Sequence, residues 1–233
     1  MALILYLETS TKICSVALAK DEQLLGLRET AVSNSHSELI TVFISEVLNE
    51  AGVSINEIDA VAVSKGPGSY TGLRIGVSTA KGLCYALDKP LISVGTLQAM
   101  AFGALSNYSD IDSETLLCPM LDARRMEVYY ALFDSKMNEI KADSAAIITE
   151  NYFSDITNNK KLLLFGDGAE KCEPPFKEDP RIKVVPDFSI SARYLISPGL
   201  DKYANQKFED VTWFEPFYLK DFVAGKPNVK GLK

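Results

Sequence analysis

The sequence predicts an α/β protein of two similar lobes, each with a mixed β-sheet flanked by helices. Three observations lead to this fold class. The chain opens with three strand-like segments and then alternates strands with helices, which is typical of a mixed sheet covered by helices. Its second half repeats the opening pattern. Its 233 residues are 47% hydrophobic, enough for one large domain or two modest lobes.

The opening segment predicts a β-meander followed by a helix. The three strands are expected at residues 3–7, 13–19 and 24–30, where apolar and β-branched residues are separated by polar turns. A helix is expected over residues 37–51, because apolar residues recur at helical spacing and Gly52 follows as a C-terminal stop. Its apolar residues cover more than one stripe, so this helix needs cover on two sides.

Strands and helices then alternate. An apolar strand at residues 60–63 leads into the glycine-rich loop 66–72 and a helix that continues to about residue 87. A strand at residues 91–94 and a helix from Thr96 follow. This order indicates strands that pair in one sheet and helices that cover it.

The second half of the chain indicates an internal duplication. Asp122 lies 114 positions after Glu8, and each residue ends an apolar strand that a polar turn and a β-rich strand follow. Few residues are identical, so a chance resemblance is the alternative. The duplication predicts a first lobe at residues 1–99 and a second at residues 100–212, with the tail 213–233 packing back on the first lobe.

Charge and composition exclude several classes of protein. The chain carries 24 Lys and Arg against 31 Asp and Glu, and its net charge of −7 disfavours direct binding to nucleic acid. It reaches Glu8 too early for a signal peptide or a membrane span, so we expect a cytoplasmic protein with no membrane contact. Buried thiols, rather than a metal site, are expected at the widely spaced Cys14, Cys84, Cys118 and Cys172.

Two acidic residues could carry chemistry. Paired hairpins whose first strand ends in an acid are the plan of the actin, sugar-kinase and heat-shock-chaperone superfamily, in which the hairpins face a nucleotide. Phosphate clamps of this kind need glycines, and the turns here, residues 9–11 and 123–125, have none. We therefore favour turn-capping, solvated carboxylates over metal–phosphate binding. The weak nucleotide-binding candidates are Glu8, Thr9, Ser10, Asp122, Arg124, Gly166, Asp167 and Gly168, the last three interpreted first as a turn.

The loop 66–72 differs from a Walker A phosphate loop. Gly72 is followed by Leu73 and Arg74 instead of lysine and a hydroxyl residue, and Pro67 has no N–H to offer. We interpret the loop as a tight, rigid start of the following helix.

That helix carries a ridge of small residues, Gly72, Gly76 and Ala80, spaced four apart. Glycine inside a helix costs about 0.5–1 kcal/mol relative to alanine, so the pattern suggests a packing need at Gly76 and Gly82. The ridge predicts close packing on the chain's own sheet, a helix bundle with a partner, or both.

His36 is the only histidine, which excludes a multi-histidine metal site in this chain. It stands where the helix over residues 37–51 begins. A structural role is the expected one.

These residues together resemble the TsaB (YeaZ) family over nearly the whole chain. The most specific motif is Val61-Ala62-Val63 followed by Gly66-Pro67-Gly68-Ser69-Tyr70-Thr71-Gly72-Leu73-Arg74-Ile75-Gly76. Supporting motifs are Ile4-Leu5-Tyr6-Leu7-Glu8-Thr9-Ser10, Cys14-Ser15-Val16-Ala17-Leu18, His36-Ser37, Asp122-Ala123-Arg124 and Pro216-x-Tyr218-Leu219. One departure is Glu8, because the first strand usually ends in Asp in the family. The longer side chain puts a metal or nucleotide role of this position in doubt.

The resemblance implies an actin-like fold and a bacterial subunit of the machinery that makes threonylcarbamoyladenosine beside the anticodon of tRNA. In that family a paralogue, TsaD, holds a metal through histidines and carries out the transfer, using threonylcarbamoyl-adenylate from a TsaC-type enzyme. The resemblance therefore implies a non-catalytic subunit with no metal. Its implied partners are TsaD and the ATPase TsaE, and it would meet tRNA only through the complex.

The resemblance also implies where the partner binds. The family pairs with TsaD through helices that match residues 36–51 and 71–87. A homodimer through the same helices and ATP or ADP at a subunit boundary stay open. The predicted interface residues are His36, Leu39, Ile40, Phe43, Tyr70, Gly72, Leu73, Gly76, Thr79, Ala80 and Leu83.

Two other classes of function remain as alternatives. An ATP-dependent small-molecule kinase would use Asp122 or Glu8 as a base in the cleft between the lobes, and its weakness is the glycine-poor hairpins. A metallopeptidase is the least favoured, because the sequence offers no assembled nucleophile, base and orienting group.

Overall fold

The structure, a computed structural model, describes residues 1–32, 36–124, 126–150, 152–154 and 160–220. Its first sheet has five strands: β1 (Leu3–Glu8), β2 (Cys14–Lys20), β3 (Gln23–Thr30), β4 (Ala60–Gly66) and β5 (Leu91–Gly95). They lie in the order β3-β2-β1-β4-β5, with β1 to β3 antiparallel and β4 and β5 parallel to β1. The predicted meander is confirmed.

The second sheet repeats the first. Its five strands are β6 (Thr115–Asp122), β7 (Glu127–Phe133), β8 (Glu139–Ile147), β9 (Lys161–Phe165) and β10 (Ile182–Val185). Their order is β10-β9-β6-β7-β8, with β6 to β8 antiparallel and β9 and β10 parallel to β6. β6 thus takes the place of β1. Two similar lobes, each with a mixed sheet flanked by helices, confirm the predicted actin-like fold class.

The helices and sheets alternate in layers. The described residues form the α-helices α1 (His36–Ala51), α2 (Tyr70–Leu87), α3 (Thr96–Asn107) and α4 (Ile196–Ala204). α1 and α2 cover one face of the first sheet, where alternate residues of β1 and β4 such as Leu5 and Val61 are buried. The opposite face packs with α3, α4 and the second sheet in one apolar core. Within the described ranges no helix is long and apolar enough to cross a membrane.

The division between the lobes does not coincide with a break in packing. α3 spans residues 99 and 100 and contacts strands of both sheets. α4 follows the second sheet in the chain but packs on the first, where a Cβ added at Gly199 would lie 2.8 Å from the Tyr6 ring. The division into residues 1–99 and 100–212 therefore remains a prediction.

The described part of the tail runs along the first sheet. The Glu209 N–H donates to the carbonyl of Leu91 at 2.8 Å, which adds a short antiparallel bridge beside β5. The Phe217 N–H donates to the carbonyl of Lys65 at 2.7 Å. The prediction for the tail also covers residues 221–233, which lie outside the described residues.

Candidate functional site

A cleft of about 900 Å³ lies where the β1–β2 and β6–β7 turns approach each other. The N-terminal end of α2 and residues 217–220 also line it. This is where the paired-hairpin plan predicts a nucleotide. The two turns contribute Ser10, Thr11, Lys12, Asp122, Ala123 and Arg124 to the lining.

Glu8 ends β1 beneath the cleft, with its side chain fully buried. Its Oε1 accepts hydrogen bonds from the Ser10 backbone N–H at 2.6 Å and the Ser10 hydroxyl at 2.5 Å. Burial raises the pKa of the Glu8 carboxyl above its ordinary value, and the bonds from Ser10 partly oppose this rise. Glu8 caps its turn as predicted. The prediction that it is solvated is wrong, because the turn folds over the carboxyl.

We expect Glu8→Gln to remove a pH dependence of stability. Because the folded-state pKa of Glu8 is raised, the contribution of protonated Glu8 to the stability of the wild type is fully present below about pH 4.5 and is lost as the pH rises through the folded-state pKa. Glutamine cannot ionise, and its Oε1 can still accept the bonds from Ser10. In urea unfolding the wild type should lose up to about 1.4 kcal/mol per pH unit relative to the variant within this window.

The exposed Glu22 provides the matched control, because Glu22→Gln removes the same charge without changing a buried group. Its free energy of unfolding should follow that of the wild type as the pH rises from about 4.5 through the folded-state pKa of Glu8. A Glu8→Gln variant whose curve also runs parallel to that of the wild type would contradict the burial effect.

Asp122 repeats the same turn at the end of β6. Its Oδ1 accepts the Arg124 N–H at 2.9 Å, two residues on, as Glu8 accepts the N–H of Ser10. The Asp122 N–H donates to Oδ1 of Asp167 at 3.0 Å. Asp122 is exposed and forms an ion pair with Lys171. It is therefore the solvated turn cap that was predicted.

In both turns, backbone N–H groups donate to the acidic side chain of the same turn. The N–H groups of Ser10 and Arg124 bind the acidic side chains of Glu8 and Asp122 and so do not point freely at a phosphate. Glu8 and Thr9 are buried, which removes them as nucleotide contacts. A nucleotide-binding role stays a prediction for the candidates that line the cleft, which are Ser10, Asp122, Arg124 and Asp167.

Gly166 and Gly168 form a turn against β6, as first interpreted. Gly166 has a φ of +101°, and the N–H of Ala169 donates to its carbonyl at 3.0 Å. The Gly168 N–H donates to the carbonyl of Met120 at 3.2 Å. Both glycines are buried, so they do not offer an open adenosine site.

The glycine-rich loop secures the start of α2. The Ser69 hydroxyl accepts the Gly72 N–H at 3.2 Å as the helix N-cap, and the Ser69 N–H donates to the carbonyl of Ser10 at 2.6 Å. The loop therefore holds both the helix and the β1–β2 turn.

The small-residue ridge of α2 packs on the chain's own sheet. The Thr9 hydroxyl donates to the carbonyl of Gly72 at 2.8 Å, and a Cβ added at Gly72 or Gly76 would overlap Thr9. Ala80 is fully buried. The prediction that this ridge faces a partner is wrong, because Thr9 already occupies the space above it.

The predicted interface residues divide into two groups. Six are buried within the chain and support the helices, so their prediction as partner contacts is wrong: His36, Ile40, Gly72, Leu73, Gly76 and Ala80. Five are partly exposed and keep their predicted role as a proposal: Leu39, Phe43, Tyr70, Thr79 and Leu83.

His36 has the expected structural role. Its Nε2 lies 3.0 Å from the carbonyl oxygen of Thr11 and 3.2 Å from that of Ile13. Both neighbours are acceptors, so Nε2 carries the ring proton and ties α1 to the β1–β2 hairpin.

The outer side of this helix layer carries residues that the predicted interface omitted. Gly82 is exposed, and apart from its chain neighbours and the backbone of its own helix no described atom lies within 4 Å of a Cβ added there. Tyr85 on α2 is 86% exposed and Val42 on α1 is 45% exposed. Trp213 in the tail is 79% exposed. The spacing of apolar residues in a sequence does not show which apolar side of a helix is buried and which is exposed. The single tryptophan was a signal in the sequence that could have pointed to this surface.

The cysteines offer no reactive site. All four are buried, as predicted, and burial raises the pKa of the Cys14 and Cys84 thiols to about 11. In the part of the chain that the structure describes, no three histidine, cysteine, aspartate or glutamate residues group as metal ligands.

Known proteins resemble this chain in sequence. The family model described as "TsaD: tRNA N6-adenosine threonylcarbamoyltransferase" matches residues 16–194. The tRNA threonylcarbamoyladenosine biosynthesis protein TsaB of Escherichia coli K12 is 36% identical over 233 aligned residues, which cover 96% of both chains. The protein of that name from Haemophilus influenzae is 38% identical over 128 residues, 55% of this chain and 52% of its own length. That second match thus spans about half of the relative.

A solved structure has the same fold. YeaZ from Pseudomonas aeruginosa superposes with a TM-score of 0.78 over 94% of this chain and 100% of its own. At 24% identity, this similarity concerns the fold alone.

Proposed function

The chain belongs to the TsaB family of tRNA threonylcarbamoyladenosine biosynthesis proteins, and from that premise we propose that it is the non-catalytic partner subunit of a TsaD-type transferase. The pair would help recruit a TsaE-type ATPase in the cytoplasm and would meet tRNA through the transferase. The net charge of −7 supports this arrangement, because an acidic surface repels a phosphate backbone.

The outer side of α1 and α2 is the observation that carries the proposal. α1 buries one stripe on the sheet, which includes Ile40 and Val47. On the other side of the helix Val42 is 45% exposed and Leu39 is partly exposed, while Phe43 is partly buried against the core. The exposed Val42 and the partly exposed Leu39 favour this side of α1 as part of a protein interaction surface.

α2 supplies room for a partner helix. Glycine at position 82 costs the helix about 0.5–1 kcal/mol relative to alanine, and the described chain has no contact there that requires it. Ser78, one turn earlier, is also exposed. Small residues on a helix surface let a second helix approach closely, so we place a helix of the partner over Ser78 and Gly82.

Both hairpin turns support a non-catalytic role. Their acidic residues, Glu8 and Asp122, bind the turn backbone instead of facing a substrate as a pair. The transfer chemistry is therefore assigned to the partner.

A small-molecule kinase is the second candidate, favoured by the size of the cleft between the lobes, about 900 Å³. Lys12 and Arg124 would supply positive charge to an anionic ligand there. ATP or ADP bound where this cleft meets a second subunit is compatible with the partner role as well. Phosphoryl transfer from ATP to a sugar or acid by the isolated chain would favour the kinase.

Sedimentation velocity tests the pairing directly. The chain, mixed with a TsaD-type transferase, should move as one complex that neither protein forms alone. A TsaE-type ATPase should join it only when both subunits are present. Separate boundaries for the two subunits over the whole concentration range would overturn the proposal.

A further inference from the structure

Trp213 is the only tryptophan of the chain, and 79% of it is exposed. The two apolar neighbours in the same turn behave differently, because Val211 and Phe214 pack into the apolar layer beneath α2. The turn therefore points its largest side chain away from the core. A large, exposed aromatic residue on an ordered turn is typical of an interface anchor.

The backbone of this turn is fixed by hydrogen bonds. Oδ1 of Asp210 accepts the N–H of Thr212 at 2.7 Å and that of Trp213 at 3.2 Å. The Phe214 N–H donates to the carbonyl of Asp210 at 2.8 Å. An indole presented on such a turn loses little conformational freedom when a partner covers it.

Lys81 connects the turn to α2. Its ammonium donates to the carbonyls of Thr212 at 3.3 Å and Phe214 at 2.9 Å, on both sides of Trp213. Tyr85 stands one helical turn after Lys81 and is 86% exposed. The two exposed aromatic residues therefore flank Lys81, next to the open surface at Gly82.

The tail continues along α2 in the antiparallel direction. Farther on, Tyr218 packs against Tyr70 with ring centroids 4.8 Å apart, and Arg74 Nε donates to its hydroxyl at 3.2 Å. The tail from Trp213 to Tyr218 thus borders the outer side of α2 over most of its length. The turn that carries Trp213 therefore lies next to the part of α2 that is proposed for the partner.

We infer that Trp213, together with Tyr85 one helical turn after Lys81, is the apolar anchor by which this chain holds the TsaD-type transferase, an inference that rests on the pairing proposed above. A specific interface buries about 800 Å² on each partner, and one large aromatic side chain supplies about 150–250 Å². Ser78 and Gly82 let a partner helix approach closely, but they contribute little buried interface area. Trp213 and Tyr85 would therefore supply a large share of the buried interface area that the small residues cannot provide.

The lone tryptophan makes a direct test possible. The chain labelled with 5-fluorotryptophan gives one fluorine resonance, from position 213, and the unlabelled transferase adds none. On titration with the transferase this resonance should shift, and its difference between H₂O and D₂O should disappear as the indole is buried. A resonance that stays unchanged while sedimentation shows the complex would overturn the anchor and leave the pairing intact.

Variants measure how much the anchor contributes. Trp213→Ala should weaken pairing by about 30-fold or more, and Trp213→Phe by clearly less. Ile140→Ala, at a 49% exposed apolar residue of β8, should leave the affinity unchanged. Equal affinity of Trp213→Ala and the wild type would overturn the anchor.

The 5-fluorotryptophan label also distinguishes two other outcomes of the titration. If no complex forms with the wild type, the proposed function fails and the anchor fails with it. If the resonance shifts with the concentration of this chain alone and the transferase causes no further change, the occupant is a second copy and the assignment to the transferase is wrong.

Discussion

Gly72→Ala should destabilise the fold by about 3 kcal/mol or more, although it adds a single methyl group. The added Cβ would overlap the carbonyl oxygen of Thr9, a backbone atom that cannot rotate away. Relief requires α2 to move from β1, which would also disturb the bond from the Thr9 hydroxyl to the Gly72 carbonyl at 2.8 Å. The measurement is the free energy of unfolding in urea.

The matched control is Gly82→Ala in the same helix. Apart from its chain neighbours and the backbone of its own helix, no described atom lies within 4 Å of a Cβ added at Gly82, so this variant should be more stable than the wild type by about 0.5–1 kcal/mol. The same substitution thus has opposite signs at two positions of α2. Equal effects at both would contradict the packing of α2 described above.

Gly82→Arg should weaken pairing with the TsaD-type transferase by about 100-fold or more, equivalent to about 2.7 kcal/mol. The variant should fold normally, because the arginine has open space around it in the isolated chain. In the complex the long charged side chain would fill the position proposed for the partner's helix. Titration calorimetry with the transferase measures the affinity, and urea unfolding checks the fold.

Ala142→Arg controls for the added charge. Ala142 is exposed on β8, the edge strand of the second sheet, so this variant should pair like the wild type. If Gly82→Arg binds as tightly as Ala142→Arg, the outer side of α2 is not the interface.

The sequence could predict the elements whose pattern is local. The meander, the strand before the glycine-rich loop and the two long helices were recognisable from apolar spacing and turn residues. β8 was not recognised, because Glu139–Ile147 is rich in charged and small residues and becomes a strand only by pairing with β7. The four-residue β10 was likewise too short to recognise.

The candidate site could be predicted only in part, because the sequence shows spacing but not which side of a helix is covered. A packing need was predicted at Gly76 and Gly82. At Gly76 the neighbour is Thr9, which lies far away in sequence, whereas at Gly82 the described chain supplies no such neighbour. The exposure of Trp213 could not be predicted, because the exposed Trp213 and the partly buried Phe214 are adjacent apolar residues of one turn.

Reconstitution of the modification tests the partner-subunit role most directly. TsaC-, TsaD- and TsaE-type proteins, ATP, threonine, bicarbonate and unmodified tRNA are combined with and without this chain, and the modified nucleoside is measured by mass. We expect product only when this chain and the TsaD-type transferase are both present, and none from this chain without the transferase. Product formed equally well in the absence of this chain would contradict the role.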